Sequence, residues 1–370
     1  MANRTIRSAQ QLADKGLLDR SQITEIDKVA SRYSIAITHG VAKLIDPLDP
    51  NDPIARQFIP SLGELESTDT ELLDPIGDGH HSPVKGVVHR YPDRALLKPT
   101  HICPVYCRYC FRREFVGPAS DGMLSWEELE DCFAYFRAHS EIWEVILTGG
   151  DPLILSARRL SEIIQKLSAI DHIRVIRIHS RVPTVAPEKI NLEVVEALKA
   201  SSNAVFVVLH VNHCDEFGPD ASAACARLID AGIPVLSQTV LLRNVNDDPR
   251  QLGQLMRTLV ENRIKPYYLH HCDLAPATSQ FRTTIQKGQH IMRELRGNFS
   301  GLCQPTYVLD IPGGAGKSPI GPNYLSLNTA YESESAEYTV EDYNGNQYDY
   351  VCVREDLRTT GTSTDKDDEK

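Results

Sequence analysis

The sequence predicts an α/β fold: a partial (β/α)6 TIM-like barrel with an N-terminal helical extension and a C-terminal β-containing segment. Three observations carry that prediction. Six short β-branched or aromatic runs recur between residues 94 and 271. Helical patterns separate them at roughly 30-residue spacing, as in βα units around a parallel sheet. Polar residues stand at or near the C-terminal end of every run, where a barrel gathers its chemistry. A closed barrel would need about two more repeats, and a doubly wound open sheet is the alternative.

Residues 1–88 read as a helical extension and linker. SQITEIDKVASRYSI (21–35) has apolar positions at helical spacing, IDPLDPNDP (45–53) is a Pro/Asp-rich break, and DPIGDGHHSPVKG (74–86) is turn-rich. The barrel region, 89–300, holds the strands RALLKPT (94–100), ILTG (146–149), VIRIHS (175–180), AVFVVLHV (204–211), PVLSQTVLL (234–242) and KPYYLHH (265–271). Between them lie the helical segments SWEELEDCFAYFRAH, ARRLSEIIQKLSA and DASAACARLIDAG. In the C-terminal segment, 301–356, two alternating runs flank Asn344-Gly345, a hairpin signal. The polar tail, 357–370, is expected to be disordered.

The 370 residues carry a formal charge of -11, which argues against a nucleic-acid partner. No apolar stretch approaches the roughly 20 residues of a membrane span, and the N-terminus lacks the apolar core of a signal peptide. Nine cysteines, three of them crowded into one loop, do not form the pattern of a disulfide scaffold. A reducing cytoplasm is the expected compartment.

That loop, HICPVYCRYCFRR (101–113), follows the first barrel strand and spaces Cys103, Cys107 and Cys110 as Cys-x3-Cys-x2-Cys. Three thiolates can hold three irons of a [4Fe–4S] cluster and leave the fourth iron open to an amine and a carboxylate. A closed zinc site would take a fourth ligand; His101 or a distant residue would have to supply it. Inert buried cysteines are the remaining alternative. The other strand ends carry Thr148-Gly149-Gly150-Asp151, then His179-Ser180-Arg181, then His210, Asn212 and His213, and finally His270-His271-Cys272-Asp273, while Gln238 lies within the fifth strand. Each could be a solvated loop residue, but together they form a polar crown on one mouth.

The cysteine spacing, with Tyr109 before the last cysteine, resembles the radical S-adenosylmethionine superfamily. Longer stretches narrow this: HRYPDRALL (89–97), CPVYCRYCFRR (103–113), LTGGDPL (147–153), HSRVP (179–183), LLRNVND (241–247), HCDLAPATSQFRT (271–283) and DIPGGAGKSP (310–319). Together, over roughly residues 70–325, they resemble the lysine 2,3-aminomutase family. DIPGGAGK is not a phosphate loop, because Ile311 stands where the first glycine of that motif belongs.

The resemblance implies three cofactors: a [4Fe–4S] cluster on Cys103, Cys107 and Cys110, S-adenosylmethionine and pyridoxal phosphate. It places Thr148, Gly149, Gly150 and Asp151 beside S-adenosylmethionine, with Ser180, His210 and Gln238 as further candidates. Lys317 would bond covalently to pyridoxal phosphate, Arg90 and Arg94 would hold its phosphate, and Tyr91 would lie against it. Arg112 would grip the substrate carboxylate, and Asp273 and Asp310 the distal ammonium of L-lysine. The implied reaction is a radical 1,2 amino shift that interconverts L-lysine and β-lysine. An external reductant such as flavodoxin or ferredoxin and a homo-oligomer are the implied partners.

Two departures from the family pattern follow. Clostridial-type members hold an intersubunit zinc with a cysteine where this chain has Asp248, and only Cys352 remains of their C-terminal cysteine cluster. No structural zinc is therefore expected, and Cys272 and Cys303 are assigned to packing. DPIGDGHHSPVKG and PYYLHH also resemble a branch that modifies a lysine of elongation factor P. Free L-lysine is ranked first, and a non-catalytic iron–sulfur protein is the reading from another class.

Overall fold

The computed structural model describes residues 5–116, 122–328 and 335–353, the side chains of residues 335, 336, 352 and 353 excepted. The chain forms two compact units, Met1–Gly321 and Pro322–Lys370.

The first unit opens with four short helices: α1 (Ala9–Asp14), α2 (Ile23–Ala30), α3 (His39–Leu44) and α4 (Pro53–Phe58). Ser8, Thr38 and Asp52 cap three of them by accepting from backbone N–H groups. Ile6, Leu12, Ile26, Ile37, Ile54 and Phe58 bury together in a small core that also takes Val105 of the cysteine loop. The extension therefore packs on the segment that carries the chemistry.

The sheet runs β1 (Val87–Tyr91), β2 (Arg94–Thr100), β3 (Glu144–Gly149), β4 (Val175–Ser180), β5 (Ala204–His210), β6 (Val235–Leu241), β7 (Lys265–His271), β8 (Thr306–Ile311) and β9 (Gly316–Pro319). These nine strands neighbour one another in sequence order. Parallel pairing holds from β2 through β8, while β1 and β9 are antiparallel to their neighbours. The six expected βα strands are β2 to β7. The sheet then continues past them, because TYVLDI follows a helix and adds a further parallel strand, and GKSP folds back beside it.

The crossovers carry α5 (Trp126–Ala138), α6 (Ala157–Ser168), α7 (Val182–Val185), α8 (Leu192–Leu198), α9 (Pro219–Asp230), α10 (Pro249–Glu261) and α11 (Ile285–Asn298). Ser125 and Glu128 make a reciprocal capping box at the start of α5. In α6 the buried residues are Leu160, Ile163, Ile164 and Leu167, the spacing of one helical face. Burial of each such side chain stabilises by about 1.5–3 kcal/mol. Asp248 caps α10 by accepting from Arg250 and Gln251 N–H. Cys303 lies in the main core, and Cys272 packs with Tyr109, Leu242, Val245 and Phe281.

In the second unit, β10 (Leu325–Leu327), β11 (Ser335–Glu341) and β12 (Gln347–Val353) form an antiparallel sheet. Its β11–β12 hairpin turns at Asn344-Gly345, with Gly345 at φ 83°. The Cys352 side chain and the tail 357–370 lie outside the described residues. Among the described residues, no helix is long and apolar enough to cross a membrane.

Candidate active site

The cysteine loop leaves β2 and is pinned from both sides. On one side, Gly150 N–H donates to Thr100 O at 2.6 Å and Asp151 N–H to Ile102 O at 2.9 Å. A Cβ on Gly150 would come within 2.3 Å of Ile102 O, and one on Gly149 within 2.7 Å of Thr100 O. The two glycines are thus required by the approach of the protein's own backbone, with Gly149 at φ 105°. Asp151 is equally committed. Its carboxylate accepts from Ser180 Oγ at 2.8 Å and from the N–H groups of Arg181 (2.7 Å), Val182 (3.2 Å) and Leu153 (3.0 Å). Burial raises its pKa against the lowering effect of these bonds. Asp151 and Ser180 therefore hold the ends of β3 and β4 together, and Thr148 is buried just before them.

On the other side stands a buried ion triad. Arg108 Nε lies 2.9 and 3.0 Å from the two Glu64 carboxylate oxygens, and Arg113 pairs with the same carboxylate. All three side chains are fully buried. Arg113 also donates to Ala277 O at 3.0 Å and lies over the Tyr33 ring, and Tyr106 Oη donates to Arg113 O at 2.8 Å.

Between these supports, Cys103, Cys107 and Cys110 are free thiols. Burial pushes the Cys110 thiol up to about 11, with Cys107 adding to the shift. The Cys103 thiol is also pushed well up, first by burial, then by Asp151 and the two neighbouring cysteines. Three clustered thiolates are costly unless a cationic centre binds them, which is the behaviour of a metal or cluster site. The donor set fits an iron–sulfur cluster.

The mouth continues over β5 and β6. Tyr109 Oη and His210 Nε2 are 2.8 Å apart, their rings stacked. Burial and the nearby Arg181 push the His210 pKa well down. Gln238 is in register with His210 on one side and Tyr268 on the other, and its amide has no partner among the described residues.

A second cluster lies on β1, β2, β8 and β9. Asp310 and Lys317 face each other in register, and the Lys317 ammonium donates to the Asp310 carboxylate. His270 Nδ1 lies 3.3 Å from the other oxygen. Although burial opposes it, the summed effect of His270 and Lys317 holds the Asp310 pKa well below the usual carboxylate range. Lys317 N–H donates to Tyr91 Oη at 2.6 Å. Gly316, at φ 98°, lets β9 cross Tyr91, because a Cβ there would meet Tyr91 Oη at 2.9 Å. Arg94 stacks on the Tyr91 ring, 3.7 Å from its centroid, and pairs with Asp93 at 2.6 Å.

Asp273 differs from Asp310. No hydrogen bond or ion pair holds its carboxyl group among the described residues. Burial, reinforced by the Asp310 charge, raises its pKa to about 7. Lys317, Arg112 and Arg90 pull the other way, so all three cations lie within electrostatic reach.

Arg112 and Arg90 themselves converge on Asp78. Arg112 approaches Asp78 Oδ2 through Nε (3.1 Å) and Nη2 (2.8 Å), Arg90 Nη2 is 3.0 Å from Oδ1, and Lys98 Nζ is 3.9 Å away. The Arg90 Nε is buried without a partner, and so is His179 Nε2. A glycine cradle, a lysine, unpaired buried donors and paired arginines suit a phosphorylated ring such as pyridoxal phosphate.

Asp78, Arg181 and Glu64 were not assigned site roles in the sequence. Asp78 lies in a stretch that reads as a linker. Glu64 and Arg181 matter through side-chain contacts with residues 35 or more positions away, and no local pattern signals them.

Residues 97–256 match the radical SAM superfamily, and residues 292–339 match the family described as lysine-2,3-aminomutase. An L-lysine 2,3-aminomutase of Clostridium subterminale is 41% identical over 320 residues, covering 86% of this chain and 76% of that protein. The Escherichia coli (strain K12) L-lysine 2,3-aminomutase is 36% identical, with 78% and 83% covered. A glutamate 2,3-aminomutase of Clostridioides difficile is also 36% identical, with 85% and 74% covered. The chain belongs to the lysine 2,3-aminomutase family of the radical SAM superfamily.

Proposed function

We propose that this chain is a lysine 2,3-aminomutase that interconverts L-lysine and β-lysine. The observation that carries the reading is the pair Asp273 and Asp310 beside Lys317. Asp310 already holds a primary ammonium, that of Lys317, and Asp273 is a half-buried carboxyl without a partner among the described residues. Two carboxylates suit the distal ammonium of lysine and would repel the side-chain carboxylate of glutamate.

In this reading Cys103, Cys107 and Cys110 hold the [4Fe–4S] cluster, residues 148–151 with Ser180, His210 and Gln238 shape the S-adenosylmethionine pocket, and Lys317 with Arg90, Tyr91 and Arg94 holds pyridoxal phosphate. The bound cofactors supply the radical and stabilise the shifting amino group. The chain's own share is placement. Arg112 offers the substrate carboxylate a charged fork oriented by Asp78. Asp151 and Ser180 set the strand ends, and the fully buried Glu64 triad keeps the cysteine loop in place. His270, whose pKa is lowered by burial against the raising effect of Asp310, orients the Asp310 carboxylate. The same reading calls for an external one-electron donor such as flavodoxin or ferredoxin and for a homo-oligomer.

The test is an anaerobic assay of reconstituted protein with L-lysine, S-adenosylmethionine and reductant. β-Lysine is the expected product. No turnover of free lysine, together with modification of a lysine on a protein factor, would move the assignment to protein-bound lysine. A preparation that binds neither S-adenosylmethionine nor pyridoxal phosphate would leave a non-catalytic protein.

A pH dependence follows from Asp273. Only its ionised form attracts the substrate ammonium, so the KM for lysine should fall as pH rises from about 6 to about 8, one unit either side of its raised value. Asp273→Asn should flatten that profile, and an unchanged profile would remove Asp273 from the ammonium site. The sign for stability is opposite. A carboxyl raised from about 3.9 unfolded contributes stability below the unfolded value, and that contribution is lost as pH rises through about 7.

A further inference from the structure

Arg181 directly follows β4 and is only 5% exposed. Its guanidinium Nη1 donates to Cys107 Sγ at 3.0 Å and also to Tyr109 Oη. Its Nη2 donates to Glu216 Oε2 at 2.8 Å and Gln57 Oε1 at 2.7 Å. Its backbone N–H is taken by Asp151, and Phe58 lies under the guanidinium, 4.5 Å from its carbon. Glu216 is as tightly held. Its Oε1 accepts from Asn212 N–H (2.9 Å), His213 N–H (3.1 Å) and Gln57 Nε2 (3.2 Å). Neither charge can swing away.

The pair is therefore a fixed dipole in a desolvated wall, with its positive end against one sulfur. Among the described residues, no other candidate cluster cysteine accepts a hydrogen bond from a charged side chain. We propose that Arg181 is a positioning residue that sets the reduction potential of the cluster through Cys107, with Glu216 as its counterweight.

The inference rests on the cluster assignment above. Adding an electron makes a cluster more negative, so a cation hydrogen-bonded to a ligating sulfur favours the reduced form and raises the potential. The low dielectric around a buried charge strengthens the effect. Glu216, on the far side of the guanidinium, offsets part of it. The arrangement also joins the N-terminal extension to the cluster, since Gln57 of α4 bonds to Arg181 and Glu216 and accepts from Asn212 Nδ2 at 3.0 Å.

A purely structural role would make the two variants behave alike, but a tuning role makes them opposite. Arg181→Gln should shift the cluster midpoint potential in the negative direction, because the cation is gone. Glu216→Gln should shift it in the positive direction, because Arg181 loses its counter-charge while an acceptor oxygen stays in place. The measurement is a redox titration of the anaerobically reconstituted full-length protein, followed by the electron paramagnetic resonance signal of the reduced cluster.

Opposite shifts support the inference. An assembled cluster whose potential moves in the same direction in both variants, or in neither, overturns it. If Arg181→Gln fails to assemble a cluster, Glu216→Gln decides alone: a positive shift supports the inference, and an unmoved or more negative potential overturns it. If the unmodified protein assembles no [4Fe–4S] cluster at all, the assignment of the three cysteines fails first, and the tuning role falls with it.

Discussion

Lys317→Ala should abolish β-lysine formation, with a loss of at least about a thousand-fold, as follows from the proposal that this lysine bonds covalently to pyridoxal phosphate. The structure gives the lysine a prepared position. It is directly across from Asp310 on the neighbouring strand, its backbone N–H is held by Tyr91 Oη, and the preceding glycine permits the crossing. Lys98 is a poor substitute. Its ammonium is drawn toward Asp78, 3.9 Å away, rather than toward Asp310. The check is a paired measurement: turnover, and the visible absorption of covalently bound pyridoxal. Both should vanish while the iron content stays at the level of the unmodified protein. Sustained turnover by the variant would remove Lys317 from the chemistry.

Glu64→Ala should destabilise the fold by about 3–5 kcal/mol, the cost of breaking a buried ion network so that its partners remain as uncompensated buried charges. Two arginines depend on this one carboxylate, and both belong to the cysteine loop. The variant should therefore unfold at lower denaturant concentration and also retain less iron after reconstitution. Chemical denaturation followed by circular dichroism and an iron determination test the two parts separately. A stability within about 0.5 kcal/mol of the unmodified protein, the usual range for a neutral surface change, would show that the triad does not anchor the loop.

The βα framework was legible in the sequence because it depends on short-range regularities. VIRIHS, KPYYLHH and the intervening helical faces declare their type within a few residues. Cys103, Cys107 and Cys110 were legible for the same reason, since their spacing is itself the signal. β1 and β8 were harder. HRYPDR reads as a charged cofactor segment, and although a strand before DIPGGAGK is legible, its place in the barrel sheet is not. Pairing with β2 and β7 puts β1 and β8 into that sheet.

The glycines of TGGD show the limit from another side. Their presence at a strand end is visible in the sequence, and it suggests a close backbone approach. Only the fold reveals that Thr100 and Ile102 of the chain itself make that approach. Asp151 and Ser180 likewise read as pocket residues, yet they spend their hydrogen bonds on each other and on the backbone of Arg181 and Val182.

The sequence by itself determined the strand–helix alternation and the three-cysteine loop, which are matters of residue type and spacing along the chain. The lysine on its glycine turn and the two aspartates of the proposed ammonium site were named through the family resemblance. Tertiary structure alone decided which charge meets which. It brought Glu64 to Arg108 and Arg113, Asp78 to Arg112 and Arg90, and the Arg181–Glu216 dipole to Cys107. The physical reason is that burial makes every charge seek a partner regardless of chain separation, and chain separation is all that a sequence pattern can record.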